Sequence, residues 1–163
     1  MKIGIISDSH DNQANIFKAV DIFRQYKVQY VLHAGDIIAP FAARPFGRME
    51  GVKFIAVFGN NDGEKLLLDN TVKSFGGEIH DDCFRGEIGG RSIFMIHCCG
   101  AIEEIVSSGK FDLVIYGHTH KKDIRKIGKT LLINPGESTN WLTDKPGVIV
   151  LDLDDMKAEA ISL

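Results

Sequence analysis

The chain has 163 residues, which is enough to bury a sizeable core, and we expect residues 1–163 to form a single domain. Its hydrophobic fraction of 44% and charged fraction of 25% are typical of a soluble globular protein, and the net charge of −3 provides no basic field for a long nucleic acid. The chain has three cysteines, an odd number, and Cys98 and Cys99 are adjacent, so we expect no disulfide framework. It shows no signal peptide and no membrane-spanning run, so we predict a cytoplasmic protein that makes no membrane contact.

The N-terminal half alternates apolar strands with amphipathic helices. Asn12 is placed to cap the first helix, whose apolar stripe contains Ile16, Ala19, Val20 and Phe23. The apolar runs predict strands over 3–7, 30–33 and 52–58, and the helical periodicity predicts helices over 13–26, near 41–49 and over 64–75.

The C-terminal half consists mostly of short strands joined by turns. Gly89-Gly90 and Gly128-Lys129 are the turn signals of two hairpins. We predict strands over 78–80, 83–88, 91–97, 112–116, 122–127, 130–134, 147–153 and 157–163, with one short helix over 101–108. Together the two halves indicate an α/β (α+β) fold in which two mixed β-sheets pack face to face and are flanked by helices.

Side chains that bind metals follow five of the predicted strands. These residues are Asp8 and His10, Asp36, Asn60 with Asn61 and Asp62, His97, and His118 with His120. Carboxylate, amide oxygen and imidazole ligands suit divalent Mn, Fe, Ni, Co or Zn. The ligands are too many for one tetrahedral ion, so we expect two ions bridged by Asp36. Ions about 3.5–4 Å apart can hold a hydroxide and polarise a phosphoryl oxygen.

Each of these groups also has a purely structural interpretation. Asp8 and Asn12 have the residue types of turns and caps, Gly35-Asp36 is a common turn dipeptide, and the Asn60 segment could be a turn with positive φ. His97 alone could be a hydrogen-bonded core histidine, and we interpret His33 and His80 in that way. What favours a metal site is that all five strand ends carry such groups.

In their order along the chain, these motifs resemble those of the calcineurin-like metallophosphoesterases, and in particular the small single-domain phosphodiesterases of bacteria and archaea. The resemblance implies a four-layer α-β-β-α sandwich with its site at the C-terminal ends of the central strands. It also implies that a metal-bridging hydroxide attacks phosphorus in line. One metal would be held by Asp8, His10, Asp36 and His120, and the other by Asp36, Asn60, His97 and His118.

The sequence departs from the family pattern at two places. Many relatives carry a histidine that protonates the leaving oxygen where this chain has Asn61, and an amide cannot act as a general acid. We therefore expect either a preference for good leaving groups or protonation by another donor or by water, with Asn61 contacting the substrate and Asp62 orienting a ligand. Cys98 follows His97 where the family has glycine, so Cys98 and Cys99 are either close to the metals or small buried hydrophobes.

The function that these residues predict is hydrolysis of a small phosphoester, in particular a phosphodiester. The alternative is a non-catalytic scaffold similar to the retromer subunit of the same fold, but the presence of all four motif histidines favours the enzyme. A homo-oligomer remains open, since Phe41, Phe46 and Trp141 could be core or interface residues; we assign them to the core.

Overall fold

The computed structural model describes residues 1–163, which form two mixed β-sheets and four α-helices. The first sheet contains six strands, in the spatial order Lys157–Ser162 (β11), Gly147–Asp152 (β10), Lys2–Ile6 (β1), Tyr30–His33 (β2), Lys53–Val57 (β3) and Glu78–His80 (β4). The second contains five, in the order Cys83–Ile88 (β5), Arg91–Ile96 (β6), Leu113–Ile115 (β7), Thr130–Asn134 (β9) and Asp123–Ile127 (β8).

Except for the second, the helices begin and end within one residue of the predicted positions. They span Gln13–Gln25 (α1), Pro40–Ala43 (α2), Lys65–Ser74 (α3) and Ile102–Ser107 (α4), and Phe46–Arg48 forms a 3₁₀ turn. Asn12 caps α1 as predicted, because its side chain accepts a hydrogen bond from the backbone N–H of Asn15. The single helix expected near 41–49 is divided in two, since Pro45 has no N–H with which to continue it.

The main core lies between the two sheets. Alternation along β1 directs Ile3 and Ile5 toward the second sheet, where they join one apolar cluster with Ile93 and Ile115. The opposite face of β1 carries Ile6, which packs in a separate cluster with α1, α2 and α3.

A third cluster covers the outer face of the second sheet, where Val106 of α4 packs on Phe94, Val114 and Leu132. The layers therefore run helix, sheet, sheet, helix, and the expected four-layer sandwich is confirmed. None of the helices is both long enough and apolar enough to cross a membrane.

The assignment of three aromatic residues to the core is right for one and wrong for two. Phe46 is buried, with 3% of its surface exposed, but Phe41 is 47% exposed and Trp141 is 62% exposed. In the short helix α2 the core positions are taken by Ala42 and Ala43, which leaves Phe41 facing outward. Trp141 is held in a loop whose contacts are described below.

Candidate dinuclear metal site

The parallel strands bring the candidate ligands to one edge of the molecule. β1, β2 and β3 run parallel in the first sheet, and β6 and β7 run parallel in the second. The carboxyl ends of parallel strands lie at the same edge of a sheet, which is where α/β proteins bind their ligands. A backbone hydrogen bond from Asp8 to Gly35 (3.0 Å) and another from Gly117 to His97 (3.0 Å) hold neighbouring loops together.

Four of the candidate ligands form one compact group. Asp8, His10, Asp36 and His120 each offer a ligand atom, and these atoms lie within 4.8 Å of one another. His10 Nε2 is 3.5 Å from Asp36 Oδ2, and His120 Nε2 is 3.5 Å from Asp8 Oδ1. The two imidazoles and the two carboxylates therefore face a common point.

The other candidates surround the second side of Asp36. His97 Nε2 lies 3.4 Å from Asp36 Oδ2 and 3.0 Å from Asn60 Oδ1, while His118 Nδ1 lies 2.8 Å from the same Asn60 oxygen. The Nδ1 of His97 is 2.7 Å from the carbonyl oxygen of Ala34. A hydrogen bond donated by Nδ1 makes Nε2 the ring nitrogen that can bind a metal once it has lost its proton, whereas without a metal Nε2 can donate to Asp36. Asp36 is thus common to both groups.

The residues fit a divalent cation at the first group. His10 Nε2 is buried and has no hydrogen-bond partner, which is costly for a polar atom unless a ligand meets it. It faces the oxygens of Asp8 and Asp36, and an imidazole nitrogen between carboxylates suits a first-row divalent metal.

The two carboxylates have opposite electrostatic environments. Burial raises the pKa of Asp8 and outweighs the hydrogen bond from Ser7 and the nearby imidazoles. Burial also opposes ionisation of Asp36, but hydrogen bonds from His97 and Asn61 outweigh it and hold the pKa of Asp36 well below its usual range. A buried carboxylate such as Asp8 is stabilised as an anion when a cation is bound beside it.

The backbone at the site is held in an uncommon conformation. Positive φ values occur at Asp8 (51°), His10 (36°), Asp36 (57°), His118 (67°) and His120 (59°). Each non-glycine residue in this region costs on the order of 1–3 kcal/mol, and such residues concentrate at functional sites. The fold thus stabilises a local geometry that directs these side chains toward one another.

Two glycines permit the close approach of the loops. A Cβ on Gly117 would meet Ser7 Oγ and would lie 2.9 Å from Asp8 Oδ2, and a Cβ on Gly59 would meet Asp36 Oδ1. Any larger residue at either position would displace a candidate ligand.

Asn61 and Asp62 position Asp36 and its loop. The backbone N–H of Asn61 donates to Asp36 Oδ1 (2.8 Å), and its side-chain amide donates to Asp36 Oδ2 (2.7 Å). The buried carboxylate of Asp62 accepts from the N–H groups of Gly59 (2.6 Å), Ile38 (2.6 Å) and Asp36 (3.1 Å). Asp62 therefore fixes the two loops that carry Asp36 and Asn60.

His33, by contrast, is placed in the core. It is fully buried, its Nδ1 accepts from the N–H of Gly35 (3.2 Å), and its Nε2 lies 3.0 Å from Ser9 Oγ. Burial and the neighbouring His97 lower the pKa of His33 to about 3, so its ring is neutral. The structural interpretation of His33 is confirmed. His80 is only partly buried, and its Nε2 lies 3.5 Å from Glu78.

The cysteines next to His97 are not part of the first ligand group. Cys98 is exposed and Cys99 is half-buried, and neither belongs to the group of candidate ligands. The interpretation of the pair as small buried hydrophobes is wrong for Cys98.

Sequence reasoning missed Glu137, which follows the Asn134-Pro-Gly136 segment. Its carboxylate is fully buried and its Oε2 lies 3.0 Å from His120 Nδ1. A carboxylate that accepts from one imidazole nitrogen leaves the other nitrogen as the metal ligand, so Glu137 orients His120 Nε2 toward Asp8. The only local signal was an acidic residue beside Ser138 and Thr139, which is common in turns.

The comparisons agree with this geometry. The calcineurin-like phosphoesterase superfamily domain matches residues 1–156, and the chain belongs to this superfamily. A phosphodiesterase of Methanocaldococcus jannaschii is 39% identical over 166 residues, which cover 100% of this chain and 99% of the relative.

Two solved structures show the same fold. An archaeal phosphodiesterase superposes with a TM-score of 0.94 at 38% identity and covers 100% of both chains. Vps29 of Chaetomium thermophilum superposes with a TM-score of 0.72 at 13% identity, covering 100% of this chain and 96% of the other. The latter likeness concerns the fold alone.

Proposed function

We propose that this protein is a phosphodiesterase that hydrolyses small phosphodiesters with two divalent metal ions. The observation that carries the proposal is the pair of adjacent ligand groups that share Asp36. The similarity of the full chain to the Methanocaldococcus jannaschii phosphodiesterase supports a diester rather than a monoester as the substrate.

The proposed ligand sets follow the two groups. Asp8, His10, Asp36 and His120 would hold one ion, and Asp36, Asn60, His97 and His118 would hold the other. Bound there, the ions would activate a water for attack and neutralise charge on the phosphoryl oxygens. Glu137 would keep His120 in the tautomer that binds through Nε2.

The substrate would enter on the side where the ligands are exposed. Asn60, Asn61 and His118 are exposed, whereas Asp8 and Asp36 are buried beneath them. Since the amide of Asn61 is hydrogen-bonded to Asp36 and cannot give up a proton, no acid stands at this position for the leaving oxygen. Unless another group or water supplies the proton, the leaving group would depart as an anion, which favours alcohols of low pKa.

Two finer points belong to the same proposal. We place the protein in the cytoplasm, because its three cysteines are free, including the adjacent Cys98 and Cys99. We favour manganese or nickel among the candidate ions, because carboxylate oxygens suit manganese and imidazoles suit nickel.

The test is a metal-reconstitution assay. Protein stripped with a chelator and reloaded with Mn, Ni or Zn should hydrolyse bis(p-nitrophenyl) phosphate faster than p-nitrophenyl phosphate. Asp36→Ala should abolish this activity. Asp112→Asn is the control and should retain it, because Asp112 is a hydrogen-bonded aspartate at the end of β7 that is remote from the candidate ligands. Lack of activity with every metal would refute the enzyme and favour the scaffold alternative.

A second assay addresses the missing acid. Asn61→His should raise turnover of an unactivated alkyl diester more than that of the p-nitrophenyl diester, because only the alkyl alkoxide needs a proton to leave. An equal effect on both esters would contradict the role assigned to position 61.

A further inference from the structure

The loop after β9 is fixed by the buried carboxylate of Glu137. Besides His120, the carboxylate accepts hydrogen bonds from the hydroxyl of Thr139 (2.6 Å), the N–H of Leu142 (3.2 Å), and the N–H (2.5 Å) and hydroxyl (2.8 Å) of Thr143. We call residues 137–143 the Glu137 loop. Its conformation is set by contacts within the loop and by one candidate metal ligand.

The same loop is joined to the first sheet and to α1. The N–H and hydroxyl of Ser138 both donate to the carbonyl oxygen of Ser7, at 3.1 and 3.0 Å. The side-chain amide of Asn15 donates to the carbonyl oxygen of Ser138 (2.9 Å). Since Ser7 precedes Asp8, the Glu137 loop is held in a fixed position relative to the candidate ligands.

This rigid loop presents an exposed tryptophan at the edge of the metal site. The Trp141 ring lies 5.5 Å from the His10 ring, centroid to centroid, with an angle of 42° between the planes. Trp141 is nevertheless 62% exposed, so most of its indole surface faces solvent beside the first ligand group. Its tilted contact with His10 therefore leaves much of the ring free to meet a ligand.

Trp141 is exposed although hydrogen bonds to the buried carboxylate of Glu137 fix the loop that carries it, so the fold sets its position at the edge of the site. Ligand sites are commonly lined by aromatic side chains beside a few polar groups, and Trp141 stands in that position next to the first ligand group. An indole face binds planar rings by stacking, which is worth more than its buried area alone. A phosphoryl group over the ligand groups would place one of its two substituents near Trp141.

We propose that Trp141 recognises a planar aromatic substituent of the phosphodiester and so makes aryl diesters the preferred substrate class. This inference rests on the proposed function. It agrees with the independent observation at Asn61, because an aryl alcohol is a better leaving group than an alkyl alcohol and does not need an acid.

Binding of inert ligands tests the inference without using catalysis. Methyl(phenyl)phosphinate and methyl(cyclohexyl)phosphinate carry the same charge and have no P–O–C bond to hydrolyse, and their rings differ in planarity. Calorimetric titration of the Mn-loaded protein should give at least fivefold tighter binding of the phenyl ligand. The phenyl ligand should also quench the fluorescence of Trp141, which is the chain's one tryptophan.

Substitutions of Trp141 distinguish stacking on an aromatic ring from a general apolar contact. Trp141→Ala should remove the preference for phenyl over cyclohexyl, and Trp141→Phe should keep at least part of it. Leu142→Ala is the matched control, because Leu142 is the neighbouring residue and is 74% exposed; it should change the preference by less than twofold.

The outcomes distinguish this inference from the proposed function. Equal affinity for the two ligands, no detectable binding of either, or a preference that survives Trp141→Ala would overturn the role of Trp141 even if diesters are hydrolysed. A phenyl preference in a protein without hydrolytic activity would instead retain this role and refute the enzyme.

Discussion

Replacing Glu137 by glutamine should weaken both the fold and metal binding. Glutamine has the same shape but one carbonyl oxygen in place of two carboxylate oxygens. If that oxygen stays with the donors of Leu142 and Thr143, the new NH₂ group faces Thr139 and His120. The Thr139 hydroxyl can rotate and accept, but the N–H of His120 then has no acceptor.

The size of the effect follows from this single lost bond. A hydrogen bond to a charged group contributes about 1.5–3 kcal/mol, so the free energy of unfolding should fall by about that amount. His120 can avoid the clash by moving its proton to Nε2, which removes the lone pair that faces Asp8. Loss of such a supporting carboxylate typically lowers metal affinity by about 10–100-fold.

Urea unfolding in chelator measures the first effect, and titration of Mn against a competing chelator measures the second. Glu87→Gln is the control, because Glu87 is exposed on β5 and should change neither value. If Glu137→Gln leaves both the unfolding free energy and the Mn affinity at their wild-type values, the role assigned to Glu137 is wrong.

Three further predictions concern other buried groups. His33 has a pKa of about 3 in the folded protein, below its value of about 6.5 in the unfolded chain, so the unfolded state binds more protons as the pH falls from about 6.5 toward 3. Through that range the free energy of unfolding should fall more steeply in the wild type than in His33→Gln, by up to about 1.4 kcal/mol per pH unit. Urea unfolding in chelator measures both slopes, and identical slopes would contradict the prediction. Asp62→Asn should lower the unfolding free energy by about 1–3 kcal/mol, because an amide cannot accept from all three N–H groups that Asp62 binds; an unfolding midpoint equal to the wild type would speak against it. Gly117→Ala should reduce Mn affinity at least tenfold by displacing Asp8, whereas Gly63→Ala, whose Cβ meets nothing within 4 Å, should not, and equal Mn titrations of the two variants would show that the steric argument fails.

Much of the fold could be predicted from local patterns. The apolar stripe of α1 and the continuous apolar runs of β1, β2 and β3 depend on residues close together in the sequence, and the structure has them where they were expected. The interruption by Pro45 also has a local cause and was missed because the segment was interpreted as one helix.

The candidate ligands could be proposed from the sequence because each lies in the loop that follows a strand. Glu137 and Trp141 could not, since their roles depend on contacts across long separations in the chain. The hydrogen bond between Glu137 and His120 joins two loops. Trp141 packs on His10, and these two residues are separated by more than half of the sequence. Composition favours a buried tryptophan, and only the geometry of the Glu137 loop places this one at the surface.

The candidate ligands come from loops of two different sheets, and this has a consequence for the dynamics of the protein. Asp8, Asp36 and Asn60 follow strands of the first sheet, while His97 and His118 follow strands of the second. Cations bound between them would join the sheets at an edge where otherwise only side-chain packing and a few loop hydrogen bonds do so. Amide hydrogen exchange in β1 and β7 should then slow together on metal binding, because local separation of the sheets would require release of the ions.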